Sequence, residues 1–247
     1  MSLEGAGTAL ALAPIAFAGG FSQGLTGFGS ALVTIPLATF FVPLPFALAV
    51  FAIVDFGNGL RLGLENPKNA IKGDIARMVP FMIVGIVTGT TLLVNLPRNA
   101  SLIALGTFVL AYAIYSLSRR GAPAIVNRNW AFFAGFCGGL SGTLFGAGGP
   151  PYAIYLSHRP LTKEQFRATM TLTTIFSIGL RLAAFAVTGL LMQDGVWIAA
   201  AAAIPAGLFA IYFASKIFRA ISREAVLRGV AVLLLASGAS LIARGLA

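Results

Sequence analysis

The chain has 247 residues, of which 58% are hydrophobic and only 10% charged, with net charge +10 and mean hydropathy +0.91. A water-soluble domain of this size carries about a quarter charged residues, so lipid is the solvent here and no length remains for a separate soluble domain. The basic residues sit in short loops between apolar segments, which excludes nucleic acid as partner, and the lone Cys137 excludes an internal disulfide.

In chain order the first element is a glycine-rich apolar run, Ala9–Phe41, interrupted centrally by TGFGS. Only Glu4 precedes it among charged residues, so it does not read as a cleaved signal and is expected in the mature protein. Plainer helices are expected at Leu44–Leu64, Ile75–Leu96 and Ala100–Leu117, each near the roughly 20 residues that span a hydrocarbon core. The basic stretch SRRGAPAIVNRN covers Ser118–Asn129. A second glycine-rich run, Trp130–Leu156, is broken by SGTLFGAGGPP, and plainer helices follow at Ala168–Leu190, Val196–Phe218 and Ala225–Leu241.

The two halves repeat one another. GGFSQGLTG at Gly19–Gly27 aligns with AGFCGGLSG at Ala134–Gly142 at an offset of 115 residues. Phe28-Gly29 matches Phe145-Gly146 at an offset of 117, and FGNGLRL at Phe56–Leu62 matches FSIGLRL at Phe176–Leu182 at an offset of 120. Pro80 and Pro205, at an offset of 125, are expected to open corresponding helices. The organisation is therefore a first transmembrane repeat over 1–117, a basic cytoplasmic linker over 118–129 and a second repeat over 130–247.

Lysine and arginine orient the spans. If each glycine-rich run crosses once, alternate loops carry seven and eight basic residues, which is no bias. If each run instead enters and returns, one side collects thirteen and the other only Arg98 and Arg244, a strong positive-inside signal. Glycine and proline at the breaks favour such re-entrant hairpins, because freed backbone groups survive at depth only against protein or a wet cavity. A hairpin plus three spans is an odd number of crossings, so the repeats are inverted. That architecture places a transporter's substrate site near the midplane. The expected fold is an all-α polytopic membrane protein of two inverted repeats.

Charged residues inside such segments mark function by default. Arg181 lies deep in its helix, with Ser177 and Thr174 on the same stripe. It has two readings: a structural cap on carbonyls of a broken helix, or an anion site suited to planar oxygen groups. Arg61 lies close to its helix end, where snorkelling competes with function. Asp55 and Asn58 share its helix, Asp55 as a counter-ion for Arg61 or as the coupling group for H+; the other six acids are expected in loops or at the terminus. Half-helices starting at Gly29-Ser30 or Gly148-Gly149 would aim free N–H groups at the midplane. Gln23, Thr26, Ser30, Ser141 and Thr143 would add neutral donors, and Gly146 belongs to the second break. Close helix packing is the competing use of the glycines. His158 reads as a surface residue. No catalytic constellation, metal cluster or cofactor motif is present in the sequence.

Through GGFSQGLTGFGSALVTIPL (Gly19–Leu37) and AGFCGGLSGTLFGAGGPPYAIYL (Ala134–Leu156), the chain resembles the TauE/SafE family of sulfite exporters. It departs from that pattern at Ser30-Ala31, where the family often has further glycine. The resemblance implies a multi-pass inner-membrane protein, not an enzyme, that moves a small sulfur-containing anion such as sulfite or sulfoacetate. A secondary transporter coupled to H+ or Na+ and an anion channel with the same lining both fit.

Overall fold

A computed structural model describes residues 3–26, 30–63, 67–118, 125–217 and 223–246. Among them every regular element is helical: α1 (Leu3–Thr26), α2 (Ser30–Ala38), α3 (Leu44–Gly63), α4 (Lys72–Asn95), α5 (Arg98–Ser118), α6 (Trp130–Phe145), α7 (Gly149–Ser157), α8 (Lys163–Val187), α9 (Val196–Ile217) and α10 (Arg223–Leu246). Among the described residues, five stretches are long and apolar enough to cross a membrane: Leu44–Gly63, Lys72–Asn95, Arg98–Tyr115, Glu164–Val187 and Val196–Ala214. Large apolar side chains point outward from them, among them Phe81, Val87, Trp197 and Phe209. Such a surface is stable only in lipid.

The second glycine-rich run is broken between Phe145 and Gly149, where the sequence places the interruption, and the first interruption, at 27–29, lies outside the described residues. Each run forms a helical hairpin: Gly19 of α1 lies against Ser30 and Thr34 of α2, and Gly138 of α6 lies against Tyr152 of α7. Their returning arms, α2 and α7, have nine residues each, about 14 Å, half a hydrocarbon thickness.

The most extensive helix pairings recur when the halves are exchanged, although α2 packs on α10 without an equivalent pairing of α7 with α5. The first hairpin's α1 packs on α9 and the second hairpin's α6 on α4; α3 packs on α8, and α5 on α10. Glycine permits the closest of these approaches. A Cβ on Gly20 would lie 2.6 Å from the Gly207 carbonyl oxygen, and one on Gly106 would lie 2.8 Å from that of Gly238. Gly135 and Gly139 sit equally tightly on the carbonyls of Met78 and Met82.

Three local expectations change. Pro80 and Pro205 lie inside α4 and α9 and do not open them. Helix α8 begins five residues before the expected Ala168, because Thr162 and Gln165 form a capping box: Thr162 Oγ1 accepts from the Gln165 amide at 3.2 Å, and Gln165 Oε1 accepts from the Thr162 amide at 3.1 Å. Asp74 is not a loop acid. It lies in the first turn of α4, fully buried, 3.4 Å from Arg159 and 4.0 Å from Arg128. This ionic cluster ties α4 to the linker and to the turn after α7, which the linear order of the residues does not reveal.

Candidate functional site

The tip of the second hairpin meets α2 of the first. Gly146 ends α6 with φ +71°, a left-handed conformation that favours glycine, and a Cβ there would lie 2.9 Å from both Ala31 and Ile35 of α2. Between the starts of α2 and α7, α3 and α8 is a partly open cavity of about 30 Å³, room for about two waters. From the first half it is lined by Gln23, by Ser30, Ala31 and Leu32 at the start of α2, and by Asp55. The second half contributes Gly146, Gly148, Gly149 and Pro150 at the start of α7, Tyr152, and the α8 residues Thr174, Ser177, Ile178 and Arg181.

Two short helices therefore turn their N-terminal ends to one buried space. Each end carries about half a positive charge, but Pro150 and Pro151 have no N–H and leave α7 only the amides of Gly148 and Gly149 as donors there. Pro150 at the start of α7 removes no helical bond, since that position has no intrahelical acceptor.

Arg181 is 3% exposed. Its Nη1 donates to the Gly142 carbonyl near the end of α6, its Nε is buried without a protein partner, and its guanidinium lies 5.9 Å from the Phe185 ring centre. Capping and anion binding are compatible, because a guanidinium carries five donors. Asp55 is 4% exposed and lies across the same cavity, with Ser30 in hydrogen-bonding reach and Oδ1 unpartnered. No direct ion pair joins Asp55 to Arg181. The Tyr152 hydroxyl lies 3.0 Å from that of Ser177.

Of the residues expected at the site, Gln23, Ser30, Asp55, Gly146, Gly148, Gly149, Ser177 and Arg181 line the cavity. Arg61 does not. It is exposed near the end of α3, donates from Nη1 to the Leu208 carbonyl at 3.1 Å and lies 5.9 Å from the Tyr212 ring centre. Asn58 is buried against Gly207 of α9, outside the lining. Ser141 spends its hydroxyl on the carbonyls of Cys137 at 2.7 Å and Ala147 at 3.1 Å, and Thr143 spends its own on Gly139 at 2.9 Å. Gly29 and the Thr26 side chain lie outside the described residues. Sequence reasoning missed Tyr152, although it stands three residues after Gly149 within the second glycine-rich motif.

Comparison with known proteins follows the same line. Residues 12–241 match the family model described as Sulfite exporter TauE/SafE. A curated relative, "Probable inner membrane transporter protein TsaS" of Comamonas testosteroni, is 26% identical over 198 residues, covering 75% of this chain and 82% of the relative. No solved structure gives a significant match. A helical chain that exposes apolar faces to lipid and matches one family over nearly its whole length belongs to that family: it is a member of the TauE/SafE sulfite exporter family, a membrane transporter and not an enzyme.

Proposed function

We propose that the protein is a secondary transporter that carries a small sulfur-containing anion, sulfite or an organosulfonate such as sulfoacetate, across the cytoplasmic membrane by alternating access. The observation that carries this reading is the convergence of Arg181 with the N-termini of α2 and α7 on one buried cavity. The family's description as sulfite exporter and the relative's as inner membrane transporter support it. The packing that survives exchange of the halves supports two inverted repeats with re-entrant hairpins, an arrangement that lets one bundle rock against the other around a central site.

Charge bookkeeping gives Asp55 its role. With its carboxylate ionised, the lining of Arg181, Asp55 and two helix ends holds about one net positive charge; with that carboxylate neutralised it holds about two. An anion and a neutralising cation thus favour each other's binding, and Asp55 is the coupling residue. Arg61, at the exposed end of α3, has no part in the site under this reading.

The test is a panel of sulfite, sulfonates and carboxylates against purified protein. A substrate raises the melting temperature by mass action, and in proteoliposomes its flux saturates and exchanges with labelled anion. Current without counterflow would make the protein a channel. A panel with no stabilising anion would end the proposal.

A further inference from the structure

The polar groups of the cavity are unevenly shared between the halves. Gln23, Asp55 and Asn58 are 3%, 4% and 1% exposed, and the side-chain oxygens Oε1, Oδ1 and Oδ1 respectively have no partner in the protein. Gln23 and Asp55 line the cavity with Ser30 between α1 and α3, and Asn58 stands one helical turn beyond Asp55 on α3. At the aligned positions the second half has Gly138, Ile175 and Ile178, which bring no oxygen. It contributes donors instead: Arg181, the start of α7, Tyr152 and Ser177.

A buried carboxylate and a buried amide oxygen each carry a desolvation penalty unless they are partnered. Arg181 relieves it only in part, by attraction across the cavity, since its Nη1 is committed to Gly142 and no direct ion pair reaches Asp55, and Ser30 leaves Asp55 Oδ1 unpartnered. A proton on Asp55 would neutralise that carboxyl and leave the oxygens of Gln23 and Asn58 orphaned. A hard metal cation takes several oxygens at once. The one carboxylate can neutralise a single positive charge and no more, which disfavours a divalent ion, and because the guanidinium and the helix ends leave the lining net positive, a bound anion strengthens cation binding.

We propose that Gln23, Ser30 and Asp55, with Asn58 one turn away, form a sodium-ion site adjoining the anion site, so that sodium and the anion are carried together. The ion site stands on the orphaned oxygens, and its coupling to the anion rests on the function proposed above. In a repeated scaffold this divides the labour: the first half holds the cation and the second holds the anion.

The experiment uses the full-length protein in detergent, with NaCl replaced stepwise by choline chloride at constant ionic strength and fixed pH. Melting temperature and sulfite affinity are followed together. Sodium is expected to raise the melting temperature saturably without sulfite, and to tighten sulfite binding on the order of tenfold. Asp55→Asn and Asn58→Leu should lose the sodium response. Wild-type curves that coincide in sodium and choline would overturn the ion site, as would acidification that reproduces the whole effect without sodium; sulfite binding would still be seen in either case. Sodium stabilisation with no anion bound across the panel would support the ion site and sink the anion reading instead.

Discussion

Arg61 and Arg181 occupy the same place in a repeated seven-residue motif, yet their surroundings differ. Arg61 stands two residues before the end of α3, where its side chain reaches the exposed edge of α9. Arg181 stands six residues before the end of α8, against the tip of the second hairpin. A guanidinium held beside positive helix ends attracts an anion, and without one these like charges repel each other. Arg181→Gln keeps a donor for Gly142 and removes the charge. A hydrogen bond to a charged group contributes about 1.5–3 kcal/mol, so anion affinity should fall by roughly ten- to a hundredfold. Calorimetry on the folded variant checks this, and unchanged affinity would assign Arg181 to capping alone. That an arginine would lie within an apolar segment was legible in the sequence; which of the two met the cavity was not, because the choice depends on a hairpin tip 39 residues away in the chain.

At the scale of elements, the short arms α2 and α7 carry the site, and Gly146 sets the distance between their tips. A valine there would meet a left-handed backbone and contacts of 2.9 Å at once. Gly146→Val should destabilise the protein by about 2–4 kcal/mol and weaken anion binding, read as a lower melting temperature and a reduced thermal response to substrate. Gly189 provides the contrast. It has φ +74° but nothing within 4 Å of its Cβ position, so Gly189→Ala should cost only the conformational term, about 1 kcal/mol, with binding intact. The breaks themselves were readable from glycine and proline, which interrupt a helical ladder wherever they cluster. The packing use of Gly20, Gly24, Gly135 and Gly139 was equally readable as an alternative, and those glycines sit on neighbouring helices outside the cavity lining.

At the scale of the molecule, inversion of the halves is the property on which alternating access depends. Phe41 follows α2 and Pro160 follows α7, and both are exposed. In a Cys137→Ser background, Phe41→Cys and Pro160→Cys should react with an impermeant thiol reagent from opposite sides of the membrane, Pro160→Cys from the cytoplasm. Reaction from one side would make the repeats parallel and remove the basis for rocking. The sequence by itself determined the solvent, the helical class and the family, because composition, hydrophobic runs and motifs are properties of the linear chain. Only the tertiary structure decided that Asp55 and Arg181 share a cavity without pairing, that Arg61 stands apart and that Asp74 is buried under the linker. Those outcomes depend on which helix faces a side chain, and in a bundle of mostly apolar helices hydrophobicity alone does not select the neighbour.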